Sequence, residues 1–110
     1  MAKGTFVQLG AKMDYTNGGA AAIGYMDIVP LVTRVAVAME DIAIGAVGAL
    51  DTEGVYEAAA VTGTAFAAGD QLYWDATNSR LTKTATDNTP AGYAFAPKLA
   101  AGTTALVKIG

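Results

Sequence analysis

At residues 67–75 the chain reads Ala-Ala-Gly-Asp-Gln-Leu-Tyr-Trp-Asp, a stretch that contains its only tryptophan. Gly69 tolerates a positive φ and the Asp70 carboxylate can bond the backbone that follows it, so the pair predicts a turn. Beyond this turn, strand alternation places Leu72 and Trp74 on the same face. The large indole makes Trp74 the predicted centre of a small core.

A hairpin is predicted around this strand. Residues 75–79 read Asp-Ala-Thr-Asn-Ser and form a polar connector. Residues 81–84, Leu-Thr-Lys-Thr, alternate in the manner of a returning strand. A connection of about four or five residues between the two strands fits a hairpin loop.

The rest of the chain predicts a small all-β fold. Short alternating segments recur about every 8–12 residues with Gly, Asp or Asn between them, which indicates a β-sandwich or β-barrel with short hairpins and at most one or two helical turns. We expect a flexible N-terminal arm over residues 1–4 and a single β domain over residues 5–110. Gly-Tyr-Met-Asp at 24–27 and Gly-Asp at 69–70 hint at two related halves, but the match is too weak to establish a repeat.

Four side chains are predicted to anchor the core. Tyr93 and Phe95 share one face of a predicted strand over residues 91–96, and they join Leu72 and Trp74 as the expected anchors.

Two further predictions concern the first part of the chain. Val35, Val37 and Met39 share one face of a segment that predicts a half-buried strand. Residues 46–50 and 55–57 are two short strands separated by an Asp-Thr-Glu-Gly turn, and they predict a hairpin.

Composition excludes several classes of function. The chain has no histidine, which removes the commonest general base and metal ligand, and no cysteine, which removes disulfides and thiolate metal sites. A net charge of −3 with scattered lysines and arginines lacks the basic surface that nucleic acids require. No apolar run approaches the roughly 20 residues of a membrane span. We therefore expect neither nucleic acid nor membrane as a partner.

The charged content is only 15%, against about 25% in ordinary domains. Either other chains cover much of the surface, or the surface is simply rich in alanine.

The sequence offers no candidate catalytic, cofactor-binding or metal-binding residue. Asp70 and Asp75 have opposite parity along the strand, so their carboxylates should not converge as an acid–base pair. Both are expected to form turns. No Gly-Lys-Ser or Gly-Lys-Thr occurs, so a Walker-type nucleotide site is absent. We expect a protein that is not an enzyme and has no cofactor.

The order of motifs resembles a family of tailed-phage and prophage capsid cement, or head decoration, proteins, formerly catalogued as a domain of unknown function. The Ala-Gly-Asp and Leu-Tyr-Trp-Asp run over residues 68–75 is its most specific part. Two departures are Gly-Tyr-Met-Asp at 24–27, where Gly-Asp is expected, and the lack of a glycine near Arg34. The segments that carry the resemblance are residues 6–10, 35–42, 54–57, 68–75, 81–82, 88–90, 92–94 and 105–108.

The resemblance implies a structural virion protein. Such a protein binds the outer surface of a phage head as a homotrimer, stabilises contacts between major capsid subunits, and is made in the cytoplasm of the bacterial host. The N-terminal arm is expected to contact the capsid or a sister subunit through Lys3, Thr5 and Phe6. The alternatives are a β-sandwich that binds carbohydrate or a host surface, and a hydrolase, which the missing histidine disfavours.

Overall fold

The computed structural model describes residues 3–5 and 10–110 of the chain. Those residues form nine β-strands in two antiparallel sheets and contain no helix, so the all-β prediction is confirmed. The strands are β1 (Lys12–Thr16), β2 (Ile28–Pro30), β3 (Val35–Ala38), β4 (Val47–Asp51), β5 (Gly54–Ala59), β6 (Gln71–Asp75), β7 (Arg80–Thr82), β8 (Thr89–Ala94) and β9 (Thr104–Ile109).

The two sheets share one strand order. The first runs β1-β4-β3-β2 and the second runs β5-β9-β8-β6-β7. Each strand of the first sheet therefore has a counterpart at the same place in the second, and β7 is an addition. We call residues 12–51 the first half and residues 54–109 the second half.

Hydrogen bonds repeat between the halves residue by residue. Ala38 and Ala94 are equivalent, because their amides donate at 2.9 Å to the carbonyl oxygens of Asp27 and Asp70 respectively. Each alanine carbonyl accepts in turn, at 2.8 Å, from the residue that precedes that aspartate. The weak similarity between the two Gly- and Asp-containing turns thus marks a structural repeat.

The hairpin predicted after Trp74 is confirmed. β6 pairs with β7 from Tyr73 opposite Thr82 to Asp75 opposite Arg80, which leaves a four-residue loop. The end of β5 then meets β7, where Ala60 forms a parallel bridge with Leu81. The second sheet therefore curves round towards its own first strand, as in a barrel.

Two hydrophobic clusters stabilise the fold. The larger cluster lies between the sheets and includes Leu72, Leu81 and Val107 together with Val35 and Val37 of β3. The smaller cluster lies on the opposite face of the first sheet, and its members are Val29, Ala36, Ala38, Ile42 and Leu50.

Strand β3 is buried on both faces, so the prediction of a half-buried strand is wrong. Its alternation is as expected, with Val35 and Val37 on one side and Ala36 and Ala38 on the other. The alanine face, expected to meet solvent, is covered by Ile42 from the segment that leads into β4. Local alternation defines two faces but does not reveal that a loop covers the second.

The hairpin predicted between β4 and β5 is also wrong, because these strands belong to different sheets. β4 already has β1 on one edge and β3 on the other. It has no free edge with which β5 could pair, and residues 52–53 instead cross from the first half to the second.

The structure separates the four predicted core anchors into two pairs. Leu72 is fully buried, whereas Trp74 is partly buried and packs against the larger cluster, so the prediction that the indole is the centre of the core is wrong. Tyr93 and Phe95 lie at the surface with exposed fractions of 44% and 53%, so the expectation that they anchor the core is wrong.

Two alanines of β8 take the place expected for the aromatic rings. Ala91 and Ala94 face the core, where their small side chains allow β8 to contact β3. Their spacing of three is explained by a bulge, since Leu72 pairs with Gly92 while the next residue of β6 pairs with Pro90, which skips Ala91.

Candidate interaction surface

The outer face of the second sheet carries large exposed side chains. Tyr93 lies opposite Lys108 on β9, and the Phe95 amide donates at 3.0 Å to the carbonyl of Leu106, so these residues adjoin across the two strands. All four alternate with residues of the core and therefore point away from it. We call Tyr93, Phe95, Leu106 and Lys108 the open face.

The first half has an equivalent face in which Val37 is buried and the other three residues are half-buried. Val37 lies opposite Asp51, and the Met39 amide donates at 3.0 Å to the carbonyl of Ala49, in the register of the open face. Val37 belongs to the larger cluster and Met39 packs against it. We call Val37, Met39, Ala49 and Asp51 the packed face. The repeat thus buries this surface in one half and leaves it at the protein surface in the other.

A polar contact fixes the packed face to the second half. The Tyr56 hydroxyl donates to Asp51 Oδ2 at 2.6 Å, and Lys12 Nζ lies 2.5 Å from Asp51 Oδ1. The hydrogen bonds from Lys12 and then Tyr56 lower the pKa of Asp51. Burial, followed by the hydrogen bond to Asp51, raises the pKa of Tyr56 to about 12.

Two cavities border these surfaces. One of about 480 Å³ lies between the halves, where Val37 faces Tyr56 and Trp74. The other, of about 320 Å³, lies where the first half meets the crossing segment and Gly110, and is lined by Met13, Leu31, Arg34 and Glu53 among others. We call the second the first-half cavity.

A buried lysine organises the turn after β8. Lys98 Nζ donates to the carbonyl oxygens of Thr64, Leu99 and Gly102 at 2.8, 2.9 and 3.1 Å. It also lies 4.9 Å from the centre of the Phe66 ring, so the charge is compensated on several sides. Its equivalent in the first half is the apolar Ile42, since the bridges Ile23–Ile42 and Phe66–Lys98 match.

The two aspartates of the central hairpin form turns, as predicted, but the Asp70 carboxylate bonds the backbone that precedes it, not the backbone that follows it. Asp70 Oδ2 accepts from the Ala67 amide at 2.8 Å and lies 3.1 Å from Lys83 Nζ; these two bonds, the backbone one first, lower the pKa of Asp70. Asp75 accepts from the side chain of Asn78 at 2.8 Å, and this bond is the main cause of its lowered pKa.

The described residues hold no group of three or more His, Cys, Asp or Glu side chains placed to bind a metal ion. In the same part of the chain, no helix has the length and apolar character needed to cross a membrane.

The predicted contact residues lie apart from the open face in sequence. Lys3 and Thr5 are exposed, and Phe6 falls outside the described residues. The open face itself was missed, although β9 carries its signal: Leu106 is a large apolar residue on the side opposite to the buried Ala105 and Val107.

In a comparison with protein families, the chain matches the phage cement proteins over residues 7–109. The chain belongs to the phage cement protein family. The resemblance seen in the sequence is thereby confirmed over nearly the whole chain. The family name indicates a capsid-stabilising structural protein of the bacteriophage virion, and it favours such a role over catalysis. Searches of curated proteins and of solved structures return no match to this cement protein.

Proposed function

We propose that this cement protein binds the outer surface of an assembled phage head and stabilises the contacts between major capsid subunits. The observation that carries the proposal is the family match over residues 7–109. It is made in the cytoplasm of the bacterial host and acts as a homotrimer on the capsid.

The physical basis of the effect is preferential binding. A ligand that binds only the assembled state stabilises that state by RT ln(1 + [L]/Kd), about 2.7 kcal/mol at a hundredfold excess over Kd. Many copies on one shell add such contributions, and linked copies gain further by avidity. A β domain with few flexible charged side chains loses little conformational entropy when its surface is covered.

We further propose that the N-terminal arm, residues 1–4, supplies a second contact beside that of the β domain, residues 5–110. Lys3 and Thr5 are exposed and available to a neighbouring subunit or to the capsid. Together with Phe6 they form the arm contact that we propose.

The test is co-sedimentation with expanded heads that lack cement protein, followed by heating of the decorated and bare heads. We expect saturable binding and a higher disruption temperature for decorated heads. The absence of binding to expanded heads, or binding with no change in that temperature, would contradict the proposal. Deleting residues 2–6 is expected to weaken head binding, and unchanged binding and oligomer size would argue against the arm contact.

A glycan array separates this function from the alternative of a carbohydrate-binding module. Selective glycan binding, together with no binding to phage heads, would favour that alternative.

A further inference from the structure

We propose that copies of this protein associate head to tail, with the open face of one copy docked on the first-half cavity of the next. This contact repeats, between chains, the packing that joins the two halves within one chain. It deepens the proposed function by naming the surfaces that join neighbouring copies, and it rests on that function only for assembly on the head.

Two walls of the fold occupy equivalent positions in the two halves. Met13 and Tyr56 are equivalent, because they pair with equivalent residues of β4 and β9. Leu31 and Trp74 are equivalent, since each lies four residues after the aspartate of its turn. Tyr56 and Trp74 form the wall that meets the packed face. Met13 and Leu31 form the matching wall of the first-half cavity, and no described residue fills it.

The open face and the first-half cavity both expose apolar side chains. Tyr93 and Phe95 are 44% and 53% exposed, whereas their equivalents in the first half, Val37 and Met39, pack against the larger cluster. The packed face thus meets a partner within the chain. The open face, its equivalent, presents large apolar side chains that meet no such partner among the described residues. Met13, on the receiving side, is 37% exposed. Paired apolar surfaces of this kind are typical of contact sites between chains.

Both sides of the proposed contact carry charges of both signs. Lys108 lies on the open face, and Glu57 stands opposite Leu106 on the neighbouring strand. The first-half cavity carries Arg34 and Glu53. Each side therefore offers one cation and one anion, which sets orientation more than it adds affinity.

The occupant is a second copy, and the contact is heterologous, because the open face and the cavity are different surfaces of one chain. Heterologous contacts generate closed rings where the rotation closes. Two copies related by a two-fold axis would use one identical surface each, so the smallest ring with a heterologous contact has three copies. This number agrees with the homotrimer proposed above.

The experiment uses the natural absence of cysteine. The Tyr56 hydroxyl lies 2.6 Å from Asp51 Oδ2 within the chain. The equivalent of Asp51 is Lys108, and the equivalent of Tyr56 is Met13. Single variants Lys108→Cys and Met13→Cys are mixed and treated with a short bis-maleimide. We expect a two-chain product in the mixture and none in either variant alone.

The matched control mixes Met13→Cys with Leu99→Cys, whose position is 82% exposed and lies on neither surface. We expect at least tenfold less product from this pair. Equal product from the control pair, or none from the test pair, overturns the proposal.

A second variant tests the contact without a reagent. Phe95→Asp changes an exposed side chain, and we expect a smaller particle in sedimentation velocity, with an unfolding midpoint equal to that of the wild type diluted until it is monomeric. Unaltered size overturns the proposal. Head binding is measured on the same samples. Binding to heads without cross-linking rejects only this interface, whereas cross-linking without head binding rejects only the cement function.

Discussion

Gly92 lies directly against the backbone of Lys108. A Cβ atom at position 92 would stand 2.0 Å from the Lys108 carbonyl oxygen, and the residue has a φ of +137°. The bulge in β8 therefore requires glycine for space as well as for conformation.

Gly92→Ala is expected to lower the free energy of unfolding by about 3 kcal/mol or more, because both strain and a backbone clash oppose the native state. Gly69→Ala is the matched control, since Gly69 also has a positive φ, +91°, but has open space around it. It should cost only about 1–2 kcal/mol. Urea unfolding of both variants measures the difference, and equal losses would show that the Lys108 contact is unimportant.

Gly48 faces a different obstacle, because an added Cβ would lie 2.4 Å from Ile42 Cγ1, a side-chain atom. Gly48→Ala should cost about 1–3 kcal/mol by overpacking. In the Ile42→Ala background the clash is gone, so the two changes together should cost about 1–2 kcal/mol less than the sum of the single ones. A double-mutant cycle by urea unfolding measures this coupling, and strict additivity would refute the packing of Ile42 on Gly48.

Met26 adopts a φ of +69°, at the position where the equivalent turn of the second half has Gly69. Relief of the left-handed strain, about 1–2 kcal/mol, is partly offset by the extra freedom of glycine when unfolded, about 0.5–1 kcal/mol. Met26→Gly is therefore expected to raise the unfolding free energy by up to about 1 kcal/mol. The control is Tyr25→Gly, one residue earlier, which should destabilise. A loss of stability in Met26→Gly as large as in Tyr25→Gly would contradict the strain.

Tyr56 makes the free energy of unfolding depend on pH in the alkaline range. Its pKa is about 12 in the folded protein, against about 10 for an ordinary tyrosine. Because the folded pKa is higher, this contribution is complete below pH 10 and is lost as the pH rises towards 12. Wild type should lose stability more steeply across that window than Tyr56→Phe. Urea unfolding over the pH series checks this, with Tyr73→Phe as the control for a phenol outside the contact. Parallel curves for wild type and Tyr56→Phe would reject the effect.

Lys98 is expected to be essential for stability although it is charged. Lys98→Met leaves the carbonyls of Thr64, Leu99 and Gly102 without this donor, so we expect a loss of about 3 kcal/mol. Lys83→Met removes a lysine that forms an exposed ion pair with Asp70 and should cost at most about 1 kcal/mol. Thermal and urea unfolding compare the two. If the Lys98 variant is as stable as the Lys83 variant, the buried ammonium is not a structural element.

The sequence predicted those features that depend on short-range pattern and turn chemistry. The hairpin of β6 and β7 followed from alternation after the Gly69 and Asp70 turn. The all-β class followed from the spacing of such segments.

The features that were missed depend on what covers a face. Alternation placed Tyr93 and Phe95 together but could not tell that the small Ala91 and Ala94 would face the core, because close contact between β3 and β8 selects for small residues there. The same limit hid the open face. Its partner in the first half, the packed face, became visible only through the strand register of both sheets.

The first and last described strands should differ in their resistance to tension, because they occupy different places in their sheets. β9 lies between β5 and β8, so tension on the C-terminal strand must shear two ladders at once. Among the described strands, β1 lies at the edge of its sheet with β4 as its partner, and tension there can peel it away one bond at a time. If the protein binds the head as proposed, a shell that swells would therefore strain the amino-terminal side first, while the second sheet keeps its shape.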